Sequence, residues 1–256
     1  MFATLDLTFN MIYQLPELTK YPEIIHGFST RTDGNMSFKW DTKGEVFANR
    51  HTWLTEMILD SANGLAPELV NGDNIVIAGK NDFGEGVLAR PTTKADAIIT
   101  NISGKFLMHI VADCASIMFF DPENKVIALA HAGWQGTNNN IVKKIIESME
   151  TNFNTNSKDL VVGIGPAIHQ CCYAFKESDR FSGHKWQPFI RMGQEEQIHI
   201  NIVGLNVYQL TTAGVRDENI FVSQHCTAHS DKFYSHYRDV KDKKPEARFA
   251  AVIGLK

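Results

Sequence analysis

The chain has 256 residues, 43% hydrophobic and 21% charged, with a net charge of −4 and four cysteines. That length allows a well-packed globular core, and the charge balance, with no Lys/Arg run interleaved with aromatics, gives no footprint for nucleic acid. No apolar stretch approaches the roughly 20 residues of a membrane span. The opening Met1-Phe2-Ala3-Thr4-Leu5-Asp6 lacks the basic-then-apolar order of a signal peptide. Four cysteines without a secretory context point to reduced thiols in a cytoplasm.

Taken in chain order, Glu45–Leu59 reads as a helix whose apolar side is Val46, Phe47, Trp53, Leu54, Met57 and Ile58. Strands are expected at Asn74–Ala78, Ala97–Thr100, Phe106–Ala112, Ala115–Phe120, Val126–Ala132 and Leu160–Gly165. Asn138–Phe153 carries a helical stripe of Ile141, Val142, Ile145, Ile146 and Met149, capped by Thr137 or Asn138. Ile198–Ala213 reads as a further amphipathic helix stopped by Gly214, and Asn219–Ser223 and Phe249–Ile253 as closing strands. No repeat or linker divides the chain. Strands outnumber helices and run in groups, so the expectation is one α/β domain of mixed sheets over residues 1–256 rather than a regular doubly wound fold.

Cys114 and His131 lie 17 residues apart across the turn Asp121-Pro122-Glu123-Asn124. A hairpin of Ile117–Phe120 with Val126–Ala130 brings thiol and imidazole together at one sheet edge, as a metal site or a thiol active site requires. Asp113, at the end of an apolar strand, must be paired or exposed. His131-Ala132-Gly133-Trp134 leads into a helix, which suits an anion site or a plain turn in which Trp134 covers the core. Cys171-Cys172 lacks the spacing of a zinc chelate and reads as a loop shaping a pocket, with ligation the lesser reading. Arg31, in a Ser/Thr/Gly-rich loop, has the planar fork for a phosphate or carboxylate or is a surface residue. Gln224–Thr227 and Phe233–Arg238 read as a pocket wall or as ordinary packing.

These segments, in this order, resemble the laccase-domain proteins, long described as multicopper polyphenol oxidase-like and later recognised as purine nucleoside phosphorylases. The resemblance rests on Gly27–Arg31, Asn49-Arg50, Ala95–Thr100, Ala112–Cys114, His131–Trp134, Gly165–Ile168 with Cys171–Tyr173, Cys226-Thr227 and Phe233–Arg238. It implies a single domain of mixed β-sheets with flanking helices, similar to a cysteine-hydrolase fold. The implied substrates are small molecules: phosphate with adenosine, inosine or guanosine, with adenosine deamination and methylthioadenosine cleavage also ascribed to the family. It further implies catalytic Cys114, His131 and Arg31, substrate contacts from Arg31, Gly133 and Trp134, and zinc rather than copper.

The implied zinc ligands are Cys114, His131 and a His from a Gln-Val-His-Gly motif. An ungapped fit sets Asn81-Asp82-Phe83-Gly84 on that motif, so Phe83 is expected in place of the His, and a phenyl ring has no lone pair for a metal; a one-residue slip would offer Asp82 instead, whose carboxylate can ligate zinc. Gln135 and Ala247 stand where the family usually has Arg and Gly. His109 is expected on the opposite strand face from Cys114 and so is a poor substitute ligand. Two other readings follow from the same residues: a metal-free Cys–His hydrolase or amidase using Cys114 and His131, and a non-catalytic ligand-binding member.

Overall fold

The computed structural model describes residues 12–176 and 179–256; the opening segment read above for targeting lies outside them. The first elements are β1 (Ile24–Phe28), α1 (Lys43–Glu56), β2 (Gly64–Leu65), β3 (Ile75–Ile77) and β4 (Ala97–Thr100). The long strands β5 (Lys105–Val111), β6 (Ala115–Asp121) and β7 (Val126–Ala132) follow. After them come α2 (Trp134–Asn138), α3 (Ile141–Phe153), β8 (Val161–Ile164), β9 (Ala174–Lys176), β10 (Ile190–Met192) and β11 (Gln197–Ile200). The chain ends with α4 (Ile202–Thr212), β12 (Ile220–Val222), α5 (His236–Lys241) and β13 (Phe249–Leu255).

A six-stranded mixed sheet has the order β12-β8-β6-β7-β4-β3, and a four-stranded sheet the order β1-β13-β5-β2. Strands β6, β7 and β13 are buried along their whole length, as their near-continuous apolar runs require. Met118, Phe120, Ile127 and Leu129 of the large sheet pack on Phe28, Leu107, Phe249 and Ile253 of the smaller one. The large sheet's other face, through Ile117, Phe119 and Ala128, is covered by Ile145, Ile146 and Met149 of α3 and Leu205 and Leu210 of α4. Trp53 and Leu54 of α1 cover Phe106, Met108 and Val252 on the outside of the smaller sheet. The result is the expected α/β domain of mixed sheets with flanking helices. Among the described residues no helix is long and apolar enough to cross a membrane.

Three helix expectations are corrected. The helix expected over 138–153 is divided, because Asn140 sits at φ 57 and separates α2 from α3, while the whole stripe Ile141–Met149 lies in α3; Asn tolerates that left-handed conformation where most residues do not. Ile198–Ile200 is part of a strand, pairing with Ile190–Met192 on one side and, through Ile198 and His199, with β9 on the other. Helix α4 begins only at Ile202, where the Asn201 side chain accepts the Gly204 amide at 2.8 Å. Helix α1 stops at Glu56, and Ile58, at φ 57 and 91% exposed, does not join its buried side. Phe47 is exposed as well.

Candidate active site

The β6–β7 hairpin sets Ser116 opposite His131 and Ala115 opposite Ala132. Cys114, immediately before β6, therefore meets His131 near the end of β7. The His131 amide donates to the Asp96 carbonyl at 2.7 Å, and its Nδ1 lies 3.1 Å from Asp96 Oδ1. This leaves Nε2 for Cys114. A Cβ on Gly133 would lie 3.0 Å from Cys114 Sγ and 3.6 Å from His131 Nε2, so glycine keeps that space open. Burial alone would push the His131 pKa down. A negative charge on Cys114 and the Asp96 carboxylate, both hydrogen-bonded to the ring, outweigh it and hold the pKa up at about 9. At neutral pH the site presents an imidazolium beside a sulfur.

Asp113 sits at φ 75, and the reversal there turns Cys114 out of the preceding strand. It is buried and, as the sequence required, paired: its carboxylate accepts the Thr227 hydroxyl at 2.5 Å and the Tyr237 amide at 2.7 Å. Its backbone carbonyl accepts the Ile168 amide at 2.8 Å. Burial pushes its pKa up, against these hydrogen bonds.

Two cavities share Asn71, Ala112, Cys114 and His236. The first, about 710 Å³, also has His131, Lys39, Arg50, Arg90 and Arg248 in its wall. Arg50 spends its donors on the carbonyls of Met36, Gly86 and Val87, so it holds the wall together. Arg248 is tethered to Glu246 at 3.0 Å and lies over Trp40. The second cavity, about 550 Å³, is walled by Trp134, Tyr173, Phe175 and Tyr237, with Arg180 over the Trp134 ring at 5.5 Å. Trp134 also packs against the core beneath it.

Cys114, His131, Gly133 and Trp134 are thus brought together. Arg31 is not: it stacks over Tyr234, lies 3.9 Å from Asp239, and lines an adjoining pocket that shares Trp40 with the first cavity. Phe83 is a correction. It packs against Leu65 and its core neighbours with the Lys105 ammonium 5.2 Å from its ring, and lines neither cavity. Asn71 lines both. The segment Val70-Asn71-Gly72 keeps the Val and Gly of Gln-Val-His-Gly around a different central residue, and this was the signal in the sequence. Asn71 sits at φ 58, a conformation that Asn and His tolerate better than most. Asp96 was also missed as a site residue; its signal was a carboxylate ahead of an apolar strand, fully buried in the fold.

Residues 26–256 match the family described as multi-copper polyphenol oxidoreductase laccase. The chain belongs to this family. It is 31% identical over 222 residues to purine nucleoside phosphorylase YlmD of Geobacillus stearothermophilus, covering 84% of this chain and 80% of the relative. It is 27% identical to YlmD of Bacillus subtilis, covering 91% and 89%. Purine nucleoside phosphorylase LACC1 of Homo sapiens is 27% identical, and the match spans 53% of that longer protein. The crystal structure of the G. stearothermophilus YlmD superposes with TM-score 0.84 at 28% identity, covering 92% of this chain and 93% of the other. That of Bacillus licheniformis YfiH gives 0.84 at 26%, covering 91% and 93%.

Within this laccase family the implied zinc fits the residues poorly. Cys114 and His131 offer a thiolate and an imidazole, and the Asp96–His131 contact is the kind that orients a metal-bound His. The cavity wall that these two share also carries Asn71, whose NH₂ cannot ligate and whose neutral oxygen is a weak partner for zinc. Among the described residues the group of three or more His, Cys, Asp or Glu able to share an ion is Cys171, Cys172 and Cys226, elsewhere. The two-ligand pair falls short for copper too.

Proposed function

We propose that this laccase-family chain phosphorolyses purine nucleosides, with adenosine, inosine and guanosine as substrates. The observation that carries the reading is the position of Cys114, where a cationic cavity meets an aromatic one. A purine has the flat face that Trp134, Tyr173 and Tyr237 take, and inorganic phosphate has the charge that Arg248 and Arg90 take. Arg248 rather than Arg31 faces phosphate in this reading, since it shares a wall with Cys114. A phosphate oxygen bonds to C1′ of the ribose, the C1′–N9 bond breaks, and its electron pair leaves with the purine, which takes up a proton. His131, with a pKa of about 9, holds that proton at neutral pH beside Cys114, and such positioned donors contribute roughly 10²–10⁴-fold in rate. No step is routed through zinc. The phosphorylase names of the relatives support the reading.

The test is release of free base from each nucleoside with and without phosphate. Phosphate-dependent release with formation of ribose 1-phosphate is expected. Folded protein that turns over none of the three sinks the proposal.

One observation favours a second reading. Asp96, His131 and Cys114 stand in the order of carboxylate, base and thiol that activates a cysteine nucleophile. A covalent adduct on Cys114 from an ester or amide substrate, seen by mass spectrometry without phosphate, would favour it.

A further inference from the structure

Strands β8 and β12 are parallel neighbours in the large sheet, and their pairing extends past the strand ends through Ala167 and Cys226. The loop after β8 then folds back: Cys172 and Tyr173 amides both donate to the His169 carbonyl at 3.0 Å. This carries Cys171 and Cys172 to Cys226, although more than fifty residues separate them in sequence. The three Sγ atoms lie within 4.8 Å of one another, with Cys171 and Cys172 3.5 Å apart. Three thiolates bound at ~2.3 Å around one tetrahedral ion would lie roughly 3.8 Å apart, within the span found here. Cys226 is buried, Cys172 half-buried and Cys171 exposed, so the group has an inner wall and an open side. The His169 amide donates to Cys226 Sγ at 3.4 Å, and the buried Nε2 of the same residue has no partner among the described residues.

We propose that Cys171, Cys172 and Cys226 form a thiolate site for a thiophilic d¹⁰ metal ion, Zn(II) or Cu(I), separate from Cys114 and His131. Soft sulfur donors select these ions over Mg(II) or Ca(II). None of the three thiols lines either cavity of the active site. Without a cation, burial pushes the Cys171 and Cys172 thiols up, Cys172 to about 12, and the neighbouring Cys226 sulfur adds to both shifts. An ion reverses that balance: three S–H bonds give way to three S–metal bonds and three protons go to solvent, so affinity rises with pH. Tyr173, next to Cys172, lines the aromatic cavity, and Thr227, next to Cys226, holds Asp113. An ion here would clamp the two chain segments that frame Cys114.

Protein held under a phosphine reductant is titrated with Zn(II), and anaerobically with Cu(I), each against a chromophoric chelator. Thiols are mapped by iodoacetamide and mass spectrometry with and without the ion. One equivalent is expected in the native chain and in Cys114→Ser, at least a hundredfold weaker binding in Cys226→Ser, and protection of all three thiols in the native chain. Preference for Cu(I) would mark a trigonal site, and preference for Zn(II) one completed by water. The proposal is overturned if neither ion binds, if Cys114→Ser abolishes binding, or if the three thiols alkylate equally fast with metal present. The protection experiment uses the unaltered chain and does not depend on how well Cys226→Ser folds.

Discussion

Asp96 reaches His131 through one carboxylate oxygen at 3.1 Å and accepts the Gly72 amide on the other at 2.8 Å. One buried side chain therefore fixes the His131 ring and the loop that carries Asn71.

Asp96→Asn removes one of the groups that raise the His131 pKa. The pKa falls below about 9, the alkaline limb of the rate profile moves to lower pH, and turnover drops on the order of 10²-fold. Stability changes with a definite sign. A folded-state pKa above the ordinary 6.5 gives stabilisation that is full below about pH 6.5 and lost as pH rises through about 9. The stability gap between native chain and variant should be larger at pH 6 than at pH 10. Thermal unfolding across that range checks it, and a pH-independent gap would refute the role given to Asp96.

Asn71→His should create the third ligand beside Cys114 and His131. In a Cys226→Ser background, which removes the other thiol site, the variant should hold stoichiometric zinc by elemental analysis while its parent does not. Phe83→His should hold none at this pair. Equal metal in Asn71→His and its parent would show that residue 71 does not face the pair.

Gly133→Ala places a methyl 3.0 Å from Cys114 Sγ at a backbone of φ −73 that alanine accepts. Turnover should fall at least tenfold, while stability shifts by less than about 1 kcal/mol, since backbone strain is absent. Parent-like kcat would argue against a tight Cys114–His131 contact.

His109 is fully buried on the inter-sheet face with neither ring nitrogen partnered among the described residues, and burial together with the charge of His131 holds its pKa well below the ordinary value. His109→Leu should stabilise the fold by about 1 kcal/mol in denaturant titration, because an unsatisfied buried polar group is replaced by an apolar one. A comparable loss would mean that the imidazole has a hydrogen-bond partner.

The strands were legible because β5, β6, β7 and β13 are long apolar runs that no other element accommodates, and their hairpin placed Cys114 beside His131. Helix ends were less legible. A left-handed Asn140 parts two helices just ahead of an apolar stripe and leaves no mark in its spacing, and Ile198–Ile200 is too short for periodicity to separate strand from helix. The ungapped fit set Phe83 on the motif and left Asn71 unconsidered. Only the fold shows that Asn71 lines the two cavities that Cys114 joins and that Phe83 lines neither. The contact between Cys226 and the Cys171-Cys172 pair depends on parallel pairing of β8 with β12, and sequence spacing alone carries no trace of it.

Asp113 leaves few substitutes. Its left-handed backbone excludes most side chains, and its two oxygens face two donors, a hydroxyl and an amide. Glycine would keep the bend and lose both bonds. Asparagine would keep the bend but point an NH₂ at one of the donors. The aspartate preceding Cys114 is thus constrained by shape and by proton inventory together, and drift at this position would loosen the segments of Thr227 and Tyr237 in a single step.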